Sequence, residues 1–206
     1  MMLFVGALMA EVAKSPVALY LQKPEMDSFA RAVSYLLEES GKNEEKSLQY
    51  QLNLAYIANY EAMRILDQLS EKIDELGNGE KFSLANIYLG MDKYEQAIKI
   101  YDKLNETSPK WSCPWRHKGE AYYKMGDFQA VAKALEQAIE TNKEHYDAYI
   151  WMGLTLYEMQ DYKRALEQFE IAKKLNAEEE DSHFDETIPD EKLEQIYLDL
   201  LEKTKK

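Results

Sequence analysis

The residues best suited to chemistry gather in one stretch, WSCPWRHKGEAYY, from Trp111 to Tyr123. It holds the only cysteine, Cys113, one of three histidines, His117, and two of three tryptophans, Trp111 and Trp115. Cys113 and His117 stand four residues apart, one turn of a helix, so thiolate and imidazole could offer two ligands to one metal ion. A structural zinc site needs four. The remaining two would have to come from residues such as Glu120 or Asp147, and neither belongs to a recognisable ligand spacing.

Other sites fare no better. Gly77-Asn78-Gly79-Glu80-Lys81 lacks the second glycine spacing and the Ser or Thr after the lysine that a phosphate loop requires, and reads as a helix stop and turn. Asn105-Glu106-Thr107 fits a glycosylation acceptor, which would matter only in a secreted chain. No Ser-His-Asp set or paired carboxylates stand out. Neither an enzyme, a metal site nor a cofactor is expected.

The 206 residues are 46% apolar and 12% aromatic with fifteen tyrosines, ample for a core and unlike a disordered chain. The net charge of -13 is concentrated between Glu178 and Glu191, which hold eight acids and no lysine or arginine, so the rest is close to -5. Such a balance repels a phosphate backbone and argues against nucleic acid as a partner. One cysteine cannot close an internal disulfide, which fits a reducing, cytoplasmic setting. The opening MMLFVGALMA is apolar for ten residues, about half of a membrane span. It reads first as a docked helix. A signal sequence, which would make the protein an exported one, and a membrane-surface anchor are the alternatives.

A period organises the centre of the chain. In blocks 78–111, 112–145 and 146–179, small residues recur at Ala85, Gly119 and Gly153, 34 apart. Large ones recur at Tyr88, Tyr122 and Leu156, at Tyr94, Phe128 and Tyr162, and at Tyr101, Leu135 and Phe169. Apolar positions fall three or four apart, broken only around Asp92, Gly126 and Gln160, so each block predicts a pair of amphipathic helices joined by a turn. Small against large lets the two backbones approach closely.

These positions resemble the tetratricopeptide repeat pattern W-x2-L-G-x2-Y, then A-x3-F, A and P. Departures are Lys118 in place of a leucine, Lys81 in place of the first aromatic, and Lys143 and Ala177 where Pro109 keeps the final proline. The resemblance implies an all-α, right-handed superhelical array of antiparallel helix hairpins. In that family the first helices line a concave groove. The positions that would line it include Phe82, Asn86, Leu89, Arg116, His117, Glu120, Tyr123, Lys124, Ile150, Trp151, Leu154 and Tyr157, an aromatic surface that something should cover. Phe82, Tyr123, Trp151 and Tyr157 are the expected anchors. Members that clamp a chaperone's C-terminal carboxylate need lysines, asparagines and an arginine where this chain has Phe82, Asn86, His117, Asp147 and Trp151, and only Asn86 fits.

The flanks complete the array. Residues 1–42 read as an N-terminal helical segment, with a helix capped by Asp27 and stopping at Gly41. Residues 43–77 read as a degenerate hairpin turning near Asn59, with one long helix as the alternative. Residues 180–188 form an acidic linker, or a strip for a basic partner, and 189–206 a capping helix faced with Leu193, Ile196, Tyr197, Leu200 and Leu201. The expected function is a scaffold that binds a helical or extended segment of a partner protein, with no membrane span. The alternatives are a groove filled by the chain's own N-terminus or by another copy in a homo-oligomer, and a secretion-type chaperone holding an apolar segment of a client.

Overall fold

A computed structural model of the chain describes residues 15–42, 46–178 and 190–205, and every described secondary-structure element is helical. The chain forms two compact units, residues 1–73 and 74–206.

The first unit contains α1 (Pro16–Gln22), α2 (Met26–Lys42) and α3 (Ser47–Glu71). Pro16 opens α1, where its missing N–H leaves nothing unsatisfied, and the Ser15 hydroxyl accepts from the Ala18 N–H at 3.3 Å. The cap expected from Asp27 is made by Ser28 instead. Its hydroxyl accepts from the Glu25 N–H at 3.1 Å and donates to the Lys23 carbonyl at 2.9 Å, while Asp27 lies in the first turn, where its charge suits the helix dipole. The helix runs past Gly41 to Lys42. Val17, Tyr20, Ala32, Leu36 and Ile57 form the core. Beside it the buried Tyr20 hydroxyl donates to Glu61 at 2.7 Å, and Arg64 grips the same carboxylate through two N–H groups at 2.8 and 2.6 Å. The Arg64 guanidinium holds Glu61 below the usual carboxylate range against the opposing effect of burial.

The hairpin expected over 43–77 is absent, because α3 continues through Asn59 without a turn. No glycine or proline interrupts Ser47 to Glu71, and Gln51 stands where a hairpin would need a small residue. Ile57, two residues before the expected turn, is spent on the core.

The second unit contains three hairpins, α4 with α5 (Asn78–Gly90, Tyr94–Thr107), α6 with α7 (Ser112–Met125, Phe128–Thr141) and α8 with α9 (Tyr146–Glu158, Tyr162–Glu178). Each second helix packs on the first helix of the next hairpin, and first helices touch their successors, α4 with α6 and α6 with α8. The size rule holds at atomic distance. A methyl group on Gly119 would come within 2.7 Å of Leu135, and one on Gly153 within 2.9 Å of the Phe169 ring.

The three turns share one backbone solution. Asp92, Gly126 and Gln160 all adopt left-handed conformations, with φ of 57°, 79° and 62°. The first aromatic of a block has a recurring task too. Trp115 donates from its indole to the Pro109 carbonyl at 3.3 Å and Tyr149 from its hydroxyl to the Lys143 carbonyl at 3.0 Å, each tying its helix to the loop before it. Lys118, where the family has leucine, pairs with Asp102 of the preceding hairpin and lies over the Trp115 and Tyr122 rings.

The final helix, α10 (Asp190–Thr204), packs on α9 with Ile196 and Leu200 buried and Leu193, Tyr197 and Leu201 half-buried. The expectations for the first ten residues, the acidic linker and Pro189 lie outside the described residues.

Candidate functional site

The side on which α4, α6 and α8 meet carries the positions selected from the sequence, in three environments. At the α4 end, Phe82 and His117 are half-buried with ring centres 5.1 Å apart, and Phe82 also meets Trp111 at 4.8 Å. Asn86 is half-buried and its amide oxygen accepts from the Tyr101 hydroxyl at 2.7 Å, while Leu89 is buried. Further along, Tyr123 is half-buried, sets its ring edge-on to Trp151 at 5.3 Å and donates to Glu158 at 3.3 Å. Burial, with Glu158 adding to it, pushes the Tyr123 hydroxyl up to about 12. Lys124 is exposed. Tyr157 is half-buried, its hydroxyl donating to Asp199 of α10 at 2.8 Å and its ring lying beneath Lys203.

Three α8 positions depart from the expected open surface. Ile150, Trp151 and Leu154 are buried, and Trp151, expected as an exposed anchor, is 2% exposed. The cause is visible in the helix itself. From Ala148 to Leu156 every residue is buried, and a helix apolar on all sides belongs inside a structure. That all-round apolarity was the sequence signal that would have separated α8 from α4 and α6.

Between the two aromatic groups lies a buried ion cluster. Arg116, 2% exposed, donates to Glu120 at 2.8 Å within α6 and to Asp147 of α8 at 2.8 Å, and its guanidinium lies 2.9 Å from His117 Nδ1. A guanidinium only donates, so that imidazole nitrogen accepts. Nearby His145, which the register did not single out, precedes α8. Burial pushes its imidazole below the usual range, Arg116 and His117 act in the same direction, and Asp147 opposes them.

The stretch suited to chemistry is therefore divided. Arg116 and Glu120 face each other in a fixed cluster, Cys113 is half-buried, and Trp115 serves the loop before it. Among the described residues no three His, Cys, Asp or Glu side chains gather as a metal site would require, and no helix is long and apolar enough to cross a membrane.

Stacked hairpins with glycine-to-large packing and first helices on a common side define a helical repeat protein, a class that works through contacts with other proteins. The chain belongs to the tetratricopeptide repeat family, whose signatures match residues 81–110 and 117–180. It is similar to the first such domain of Spaghetti (RPAP3) bound to an HSP90 peptide, at 17% identity and a TM-score of 0.52 over 61% of this chain and 91% of that one. The TPR2B domain of yeast Sti1 in complex with pHsp70 gives 19% and 0.54 over 61% and 97%. The Yersinia enterocolitica type III secretion translocator chaperone SycD, described as an alternative dimer, gives 17% and 0.56 over 63% and 95%. At such identities the likeness concerns the fold. No curated protein matches the chain.

Proposed function

We propose that the protein is a non-enzymatic, cytoplasmic scaffold that holds a helical or extended segment of a partner protein against the first helices of its repeats. The observation that carries this reading is the row of half-buried side chains Phe82, His117, Tyr123 and Tyr157, with Lys124 exposed beside it. Aromatic rings that are neither sealed in the core nor fully in water have apolar area left to bury, and such rings anchor peptides. Ile150, Trp151 and Leu154 support the row from below.

The ligand differs in kind from a chaperone's carboxylate tail. Of the five clamp positions only Asn86 has the required type, and its oxygen is engaged by Tyr101. Asp147 at another would repel a carboxylate. An apolar segment with few acids fits the row better.

A secretion-type chaperone holding an apolar segment of its client is the second reading, favoured by the likeness in fold to SycD over 95% of that chain. Both readings make the same first prediction. With the full chain as bait and mass spectrometry to identify what is captured, Tyr123→Ala and Tyr157→Ala each lose the specific partner at unchanged helicity. Capture that survives both changes moves the site off the first helices. Deleting residues 1–13 checks occupation by the chain's own opening segment: unchanged thermal stability keeps an external partner, and a large loss favours self-occupation.

A further inference from the structure

The N-terminal half of α3 carries a second surface, independent of the groove. Leu48, Leu52, Tyr56 and Tyr60 recur every four residues and are 74%, 65%, 46% and 40% exposed. At that spacing they form one stripe, about 18 Å long at 1.5 Å per residue. The other side of the same helix is already used, since Tyr50, Leu54 and Ile57 pack into the core of the first unit. Tyr60 also sets one edge against the Tyr20 ring, with centroids 6.0 Å apart, but its outer side and the other three residues face water, and a stripe of leucine and tyrosine left so marks a contact surface.

Its charge identifies the occupant. Ser47 to Tyr60, SLQYQLNLAYIANY, is a run of 14 residues without one Asp, Glu, Lys or Arg, in a chain that is 31% charged. A charged partner would find nothing to pair with, and an anionic membrane would find no basic residue. A second copy of this chain fits. At a net charge of -13 two copies repel over most of their surfaces, and an uncharged strip is where they can meet without opposing like charges. The polar residues bordering the stripe, Gln49 and Asn59, each carry a donor and an acceptor on one amide, so across a two-fold axis Gln49 of one copy can pair with Asn59 of the other.

We propose that the N-terminal half of α3 is a homodimer interface in which two copies pack their α3 helices antiparallel. A two-fold axis between Leu52 and Tyr56 sets Leu52 against Tyr56 of the second copy and Leu48 against Tyr60, small beside large along the whole stripe. A helix pair of this length stays below the standard interface size of roughly 1,600 Å² in total, which suits a reversible dimer.

Sedimentation velocity of the full chain over a concentration series tests this. The wild type is expected to show a monomer–dimer equilibrium, and Leu52→Asp to raise its dissociation constant more than about tenfold by setting like charges across the axis. Helicity should not change, because residue 52 is 65% exposed. Leu48→Asp, at a still more exposed position, repeats the test if Leu52→Asp folds poorly. Leu52→Lys is expected to fail alone and to recover association when mixed with Leu52→Asp, which a merely structural defect would not allow. A wild type that stays monomeric throughout the series, or a dimer unweakened by Leu52→Asp and Leu48→Asp, overturns the interface. Neither result bears on capture through Tyr123 and Tyr157.

Discussion

Arg116 holds Glu120 on its own helix and Asp147 on the next hairpin, so removing it leaves the buried Glu120 and the half-buried Asp147 carboxylates without the guanidinium they share. Arg116→Ala should therefore destabilise the chain by about 3 kcal/mol in urea unfolding, a cost dominated by the stranded charges. His145 gives this neighbourhood a pH dependence. Its folded-state value is depressed, so the unfolded chain takes up a proton that the native state resists. The stability it contributes is fully present above the ordinary imidazole value of about 6.5 and is lost as pH falls from there towards the folded value. Unfolding free energy measured between pH 7.5 and 5.5 should decline, and His145→Gln should flatten that decline. The repeat register legibly put Arg116, His117 and Glu120 on one face. It also brought Asp147, 31 residues on, to the same side, but not its pairing with Arg116, because an ion pair between repeats depends on how adjacent hairpins pack.

The turn inside each hairpin is built to one backbone plan with three different residues. Gly126 adopts its left-handed conformation freely, whereas Gln160 pays a steric cost of about 1 kcal/mol in the same place. Gln160→Gly should raise the melting temperature by about 2–4 °C for a chain of this size, as read by circular dichroism. Asp92→Gly should gain less, since the Asp92 carboxylate accepts from the Tyr94 hydroxyl and that bond would go. The helix pairs and their turns were legible because a 34-residue period repeats the same signals. For α3 there was one copy and no glycine or proline to mark its course, so the 34-residue spacing of Tyr60 from Tyr94 favoured a hairpin where the chain forms one long helix with Ile57 in its core. At α8 the register fixed which face Trp151 occupies but not whether that face stays open.

For the whole molecule, charge sets the behaviour of one copy towards another. Because the α3 strip is uncharged while each chain carries -13, screening removes repulsion without weakening the contact. The dimer should tighten severalfold between about 0.05 and 0.5 M salt, the opposite of an interface built on ion pairs; sedimentation at the two salt concentrations reads the sign. This property was present in the composition of Ser47 to Tyr60 but became meaningful only once the helix showed which residues face water. The stacking order of the second unit has a further consequence, in time rather than in space. Its hairpins pack on their sequence neighbours, so native contacts join residues close along the chain and little loop entropy stands between the unfolded and folded states. Such an array can condense hairpin by hairpin as it leaves the ribosome, with Asn78–Thr107 closing before Tyr146–Glu178 has been synthesised.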